Sequence, residues 1–184
     1  LAIASANQIK YVNEIIVVDD CSTDNTKCLV KGISADFKKV KYFKNSVNRG
    51  SGLSFLKGLE KIQNKYVLML NSDDFFLPEA IERLFEYTIN NQLDLGYGKM
   101  AIKKKTGIHR FTHPGYKKNS YIENKNELTD LLVFDMYIPS FGAVINYNEI
   151  KKFYNISYYE KLNYNFGKSF KAHDYDLFLN LAKK

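Results

Sequence analysis

The sequence is poor in arginine and in long apolar stretches, and each scarcity excludes a class of protein. Only 3 of its 27 basic residues are arginine, although the formal net charge is +7. Surfaces that bind phosphates or bases usually use the planar guanidinium group of arginine, so the excess of lysine over arginine argues against nucleic-acid binding. The lysines are instead expected to be spread over solvated faces. No apolar run approaches the ~20 residues of a membrane span. No secretory signal is visible.

Cysteine is also scarce, with only Cys21 and Cys28 present. Their spacing forms no CxxC pattern and has no matching histidines, so no zinc site is expected. Two cysteines are too few for a disulfide scaffold, and the simplest expectation is a reduced, intracellular setting.

The length of 184 residues and an apolar content of 45% predict one soluble globular domain. The chain begins at Leu1 and ends at Lys184 inside a predicted helix. We therefore expect both ends to be cut from a longer protein, which leaves membrane association through further segments open.

Two apolar runs end abruptly in carboxylates. Residues 14–18 lead into Asp19 and Asp20, and residues 66–70 lead through Asn71 and Ser72 into the next pair, Asp73 and Asp74. Short runs rich in Val, Ile and Leu are typical of buried parallel strands, and ligands bind beyond the carboxyl ends of such strands. The four carboxylates are therefore expected to converge at one edge, where a cation or a hydrogen-bonding ligand would relieve their repulsion.

The alternation of strands and helices predicts an α/β sheet with right-handed crossovers. Ser22 to Thr26 supply helix-capping residues, and Pro78 suits the first turn of a helix. In the first half the sequence also predicts a helix to about residue 32, a strand over 40–43, and a helix after the turn at 48–52 with Leu53, Leu56, Leu59 and Ile62 on one face. In the second half it predicts a hairpin of 95–102 and 108–111 with a lysine-rich exposed tip, and a strand over 142–145. Two further helices are predicted over 127–134 and 173–182.

Four motifs together resemble family-2 glycosyltransferases of the GT-A fold. That family has a VDDGSTDxT stretch, an Asn-x-Gly turn, a DxDD acidic turn followed by proline, and an ED pair that opens a helix. The corresponding residues here are Val18 to Thr26, Asn48-Arg49-Gly50, Asn71 to Asp74 with Pro78, and His173-Asp174. The resemblance covers nearly the whole chain. It implies one GT-A domain over 1–184, a mostly parallel sheet flanked by helices that lacks the family's first strand, a nucleotide-binding half over about 1–98 and an acceptor-side half over about 99–184.

The resemblance also implies roles for individual residues. Asp73 occupies the metal-ligating place for Mn²⁺ or Mg²⁺, and Asp74 supports it or the ribose. Asp20 matches the position that hydrogen-bonds the nucleotide base, with Asp19 beside it. Asp174 matches the general base that deprotonates the acceptor hydroxyl. The other nucleotide-sugar-binding positions are Ser22, Arg49, Asn71 and Ser72.

Simpler interpretations remain open for the acidic residues. Asp19 and Asp20 are also suited to capping the turn and helix that follow them. Asp174 and Asp176 are also first-turn acids that a helix dipole favours. Asn71 replaces the first aspartate of the DxDD pattern and carries no charge, and Cys21 replaces its usual glycine.

The resulting hypothesis is a metal-dependent, inverting glycosyltransferase of bacterial type. By family expectation it moves a sugar, from a uridine diphosphate donor, to a hydroxyl of a cell-surface glycan or lipid-linked acceptor, in the cytoplasm or at the cytoplasmic face of the membrane. Tyrosines of the second half, such as Tyr158, Tyr159 and Tyr164, are expected to shape the acceptor groove. The alternatives are a non-catalytic nucleotide-sugar-binding module and, with less support, a nucleotidyltransferase.

Overall fold

A computed structural model describes residues 1–98, 100–104, 106–111 and 143–148, with side chains for 1–98, 106–107 and 143–148. Helices and strands alternate through most of this region. In chain order they are α1 (Ala2–Gln8), β1 (Ile15–Asp19), α2 (Thr26–Asp36), β2 (Val40–Lys44), α3 (Ser51–Leu59), β3 (Tyr66–Leu68), α4 (Pro78–Asn90), β4 (Leu95–Tyr97), β5 (Met100–Lys104), β6 (Gly107–Phe111) and β7 (Ala143–Asn146).

The first two strands form the parallel pair that the sequence predicts. Helix α2 connects them, and the register runs from Ile15 opposite Val40 to Asp19 opposite Lys44. Parallel strands end at the same edge of a sheet, so the residues that follow β1 and β2 meet there. This edge holds the carboxylates of Asp19 and Asp20.

Strands β3, β7 and β4 form a second sheet in that order, and β7 is antiparallel to both neighbours. Its residues Ala143, Val144 and Ile145 are fully buried. The sequence predicts this strand but not its insertion between β3 and β4, which lie far from it along the chain. Within the described ranges no strand pairing joins β1 to β3.

The predicted hairpin is confirmed, with β5 antiparallel to β6 and Met100 opposite Phe111. Gly107 begins β6 with φ of 126°, a conformation that residues with a Cβ rarely adopt. The predicted strand over 95–102 is divided into β4 and β5, because β4 pairs with β7 whereas β5 pairs with β6.

Apolar faces of the helices cover the strands. In α3, Leu53, Leu56 and Leu59 are buried as predicted, whereas Ile62 lies beyond the end of the helix. A Cβ added to Gly58 would lie 3.5 Å from Val18 Cγ2, which shows how closely α3 approaches β1. A second cluster between α1, α4 and the strands consists of Ala6, Ile9, Phe76 and Ile81, with Val12, Ile15, Leu68 and Leu70 packed against it.

Several predictions concern residues outside the ranges that the structure describes. The helices expected over 127–134 and 173–182, and with them Asp174, lie outside the described residues. The division into halves near residue 98 stays a prediction. Among the described residues, none of the helices combines the length and apolar character that crossing a bilayer requires.

Candidate functional site

Asp19 is the last residue of β1, and its side chain is fully buried. It accepts hydrogen bonds from the Tyr42 hydroxyl of β2 and from the Ser22 backbone N–H at 2.7 Å. The Lys44 ammonium lies 3.6 Å from its second oxygen. Burial alone would raise the pKa of Asp19, but the bonds from Tyr42 and Ser22 and the charge of Lys44 lower it to about 2. Asp19 is therefore an ionised group that ties the turn after β1 to β2.

Asp20 holds a different turn. One of its oxygens accepts from Asn45 Nδ2 and the Arg49 backbone N–H, both at 2.8 Å, and the other accepts from the Gly50 backbone N–H at 2.7 Å. Burial acts to raise its pKa, but donors from Arg49, Asn45, Ser54 and Gly50 bring the pKa below its ordinary value. Asp20 thus joins the end of β1 to the Asn-x-Gly turn before α3.

The alternative interpretation, that Asp19 and Asp20 cap the turn and helix that follow them, is correct for the turns but not for helix α2. The N-cap residue of α2 is Asn25, which makes no side-chain capping bond, and Asp24 instead accepts from the Thr26 backbone N–H at 3.0 Å. Ser22 contributes its backbone to the turn after β1, because its carbonyl accepts a hydrogen bond from Lys44 Nζ at 2.7 Å. In the same turn, Cys21 has a φ of 65°, in the left-handed region that favours glycine.

The acidic turn follows β3. The Asp74 backbone N–H donates to the Asn71 carbonyl at 3.2 Å, and Asn71 Nδ2 donates to the Asp74 carboxylate at 3.2 Å. Ser72 and Asp73 are exposed at its tip. Beyond the turn, the buried residue Phe76 donates its N–H to Ser5 Oγ of α1 at 3.0 Å, and Pro78 begins α4 as predicted. The turn is therefore anchored on both sides while Asp73 faces solvent.

The four carboxylates do not form one cation-holding group. Among the described residues there is no cluster of three or more His, Cys, Asp or Glu side chains arranged to hold a metal ion. Asp19 and Asp20 are committed to internal donors, whereas the Asp73 carboxylate has no hydrogen-bond partner within the described part of the chain. A single exposed carboxylate fits Mg²⁺ or Mn²⁺ that is shared with water and substrate phosphates, rather than a site built of protein ligands alone.

Sequence reasoning missed Asn45 and Tyr42. Both lie on or directly after β2, and Asn45 is only 4% exposed. The available signal was position, because Asn45 follows the second parallel strand as Asp20 follows the first. A single polar residue after a short strand is also typical of an ordinary loop, so the pattern alone does not distinguish it.

This arrangement, an α/β fold with polar turns beyond the carboxyl ends of its strands, is typical of ligand-binding α/β domains. The sequence model for Glycosyl transferase family 2 matches residues 2–151. The chain therefore belongs to glycosyl transferase family 2, as the sequence motifs predict.

Curated relatives share part of the chain. It is 33% identical over 96 residues to an uncharacterized glycosyltransferase of Haemophilus influenzae, a match that covers 52% of this chain and 38% of the relative. It is 31% identical over 117 residues to the GalNAc(5)-diNAcBac-PP-undecaprenol beta-1,3-glucosyltransferase of Campylobacter jejuni, covering 62% of this chain and 38% of the relative. The matches thus span well under half the length of these relatives.

A solved structure is similar in fold. The crystal structure of S. aureus TarS 1-349 superposes with a TM-score of 0.65 at 21% identity, covering 82% of this chain and 43% of that TarS fragment. The same TarS fragment in complex with UDP superposes with a TM-score of 0.59 at 18% identity, with the same coverage of both chains. This likeness confirms the predicted GT-A type of α/β fold.

Proposed function

We propose that this protein is a glycosyltransferase that transfers a sugar from a nucleoside-diphosphate donor, with the nucleotide bound beyond the carboxyl ends of β1 and β3. The observation that carries the proposal is the paired role of Asp19 and Asp20, which fix the turns after β1 and before α3. Family membership and the similarity to a structure that binds UDP support a uridine diphosphate sugar as the donor.

The acidic turn supplies the second part of the proposed donor site. Asp73 would hold Mn²⁺ or Mg²⁺, which would neutralise the negative charge that develops on the diphosphate as its bond to the sugar breaks. Asp74 is braced by Asn71 and supports the turn on which Asp73 lies. Ser72 and Arg49 complete the polar surface that we assign to the donor.

The transfer itself is proposed to invert the anomeric configuration. Asp174 would remove the proton from an acceptor hydroxyl as its oxygen attacks the anomeric carbon, while the diphosphate departs from the opposite face. The acceptor is proposed to be linked to a lipid or to belong to a surface glycan. The name of the Campylobacter relative, which includes an undecaprenol-linked glycan, supports the lipid-linked acceptor.

Calorimetry and a turnover assay test this proposal together. UDP and UDP-sugars are titrated into the protein with and without Mn²⁺, and release of UDP is measured with wild type, Asp174→Asn and Asp176→Asn. We expect Mn²⁺-dependent binding, turnover by wild type, and a loss of about 100-fold or more in turnover for Asp174→Asn only. Equal turnover by both variants would exclude Asp174 as the base. Absence of UDP binding would overturn the proposal.

One observation favours the alternative of a non-catalytic binding module. At the first position of the acidic turn, Asn71 directs its amide toward Asp74, so an uncharged donor stands where the family pattern places a carboxylate. The same titration separates the two functions, because the module would bind UDP-sugars but would release no UDP with any acceptor.

A further inference from the structure

Asn45 is a buried amide whose hydrogen-bonding groups are all used. Its Nδ2 donates to Asp20 Oδ1 and to Ser54 Oγ, both at 2.8 Å. Its Oδ1 accepts from Lys57 Nζ at 2.9 Å, and its backbone N–H donates to the Asp19 carbonyl at 2.8 Å. An amide has two hydrogens and one acceptor oxygen to satisfy, so these contacts determine its orientation.

These contacts place Asn45 at a junction of three elements. It follows β2, contacts the end of β1 through Asp20, and contacts two residues of α3, Ser54 and Lys57. Lys57 also donates to the Lys44 carbonyl at 2.9 Å, which closes the network back onto β2. The network therefore sets where α3 begins relative to the two strands.

The Asp20 carboxylate transmits this constraint to the turn before α3. A carboxylate offers about four lone-pair positions. The donors that reach Asp20 are the Asn45 amide, the Ser54 hydroxyl and the backbone N–H groups of Arg49 and Gly50. Gly50 has a φ of 86°, a backbone conformation that glycine adopts readily and that turns its N–H toward Asp20. Loss of the Asn45 donor leaves Asp20 less well oriented toward both backbone groups.

We propose that Asn45 is a positioning residue of the nucleotide site, which orients the Asp20 carboxylate and through it fixes the turn of Arg49 and Gly50. The assignment rests on the proposed nucleotide binding. In this assignment Asp20 shapes the site by holding the backbone N–H groups of Arg49 and Gly50. A direct hydrogen bond between Asp20 and a nucleotide base would have to replace one of the donors that Asp20 now has.

Hydrogen exchange without ligand tests the first step. The amides of Arg49 and Gly50 are compared in wild type, Asn45→Ala and the matched control Asn64→Ala. Asn64 donates to Glu14 at 2.7 Å near the opposite end of β1, so its loss removes a similar bond away from the site. We expect exchange at Gly50 to be about tenfold faster in Asn45→Ala alone. Equal rates at Gly50 in the two variants would overturn the assignment.

UDP affinity tests the second step, with Asn45→Asp as the conservative variant. This change places a carboxylate against Asp20, while Lys57 faces its other oxygen and Lys44 faces the neighbouring Asp19. We expect UDP binding to be about tenfold weaker than wild type at pH of about 8, and to recover at pH of about 5 as the two carboxylates share a proton.

The two possible failures are distinguishable. UDP binding by Asn45→Asp and Asn45→Ala that equals wild type at every pH would overturn the assignment and leave the proposed function intact. A wild-type protein that binds no UDP would overturn the proposed function, and the assignment with it.

Discussion

The Asp20 carboxylate accepts the backbone N–H of Gly50 at 2.7 Å, across 30 positions of sequence. This bond connects the end of β1 to the start of α3, so that a strand, a turn and a helix N-terminus form one rigid corner. Asp19 accepts a hydrogen bond from Tyr42 and so connects the turn after β1 to β2. Two consecutive aspartates therefore hold two different turns at the edge of the sheet where we place the donor.

The contact between Tyr42 and Asp19 predicts a specific response to acid. Because the pKa of Asp19 is lowered to about 2 from its ordinary 3.8, its stabilising effect is complete above about pH 4 and is lost as the pH falls through 2. Tyr42→Phe removes a donor and raises this pKa toward 3.8, so the part of the stability that depends on acid should be smaller and should be fully lost at a higher pH. Urea unfolding should show a decrease of about 1.5–3 kcal/mol in the free energy of unfolding at neutral pH.

Tyr11→Phe is the matched control for this prediction. It removes a hydroxyl donor to Glu86 at 2.6 Å, but the Glu86 side chain is 42% exposed, so water replaces the lost bond. We expect a smaller loss of stability at neutral pH and a smaller change in its acid dependence, because the Tyr11 bond that lowers the pKa of Glu86 is screened by water. Equal effects of the two variants would contradict the special role of the buried Asp19.

Asp73→Asn tests the proposed metal ligand. The substitution keeps the size of the side chain but removes its charge, so the gain in UDP affinity that Mn²⁺ gives to wild type should fall about tenfold or more. Asp24→Asn is the control, because Asp24 is an exposed acid that accepts hydrogen bonds from Thr26 at the start of α2. Isothermal titration with UDP at several Mn²⁺ concentrations measures the effect, and an undiminished Mn²⁺ response in Asp73→Asn would exclude this carboxylate.

Gly96 is predicted to be intolerant of any side chain. A Cβ at this position would lie 1.7 Å from Oγ1 of Thr88, which is fully buried and donates to the Leu84 carbonyl. Gly96→Ala should cost about 3 kcal/mol or more of unfolding free energy in chemical denaturation. Gly32→Ala, inside α2 with no atom within 4 Å, should instead add about 0.5–1 kcal/mol. Destabilisation by both variants to the same extent would contradict this packing.

Cys21→Gly should stabilise the protein. The left-handed φ of 65° costs a residue with a Cβ about 1 kcal/mol. A 3.5 Å contact from the Cys21 sulfur to the Ser46 carbonyl and the greater freedom of glycine in the unfolded chain oppose the change in part. Gln92→Gly, at a φ of 54° after α4, should give a similar gain in thermal unfolding. If Gln92→Gly stabilises the protein while Cys21→Gly destabilises it, the thiol contact is the stronger effect.

The first half of the fold was predictable because its signals are local. The apolar runs of β1 and β2, Pro78 at the start of α4 and the leucines of α3 each specify an element within a few residues. The position of β7 was not predictable, because its pairing with β3 and β4 joins segments that are far apart along the chain. Such pairing depends on tertiary packing rather than on local pattern.

The candidate site was predictable in its residues but not in their connections. The paired aspartates and the acidic turn follow directly from the motifs, whereas the sequence suggested one converging group of carboxylates. The structure divides them, because backbone donors at Ser22, Arg49 and Gly50 satisfy Asp19 and Asp20 separately. Backbone donors carry no signature in a side-chain pattern. The role of Asn45 was hidden for a different reason, because a single polar residue after a short strand is also typical of an ordinary loop.

The most direct test of the central claim is to map UDP binding residue by residue, by titrating UDP with Mn²⁺ into isotopically labelled protein and following backbone amide shifts. The account predicts saturable shifts at Arg49, Gly50 and Asp73, beyond the carboxyl ends of β1 and β3. It predicts no shifts at Gln63 and Asn64, which contact Glu14 near the opposite end of β1. Shifts confined to that opposite end, or no saturable shifts at all, would contradict it.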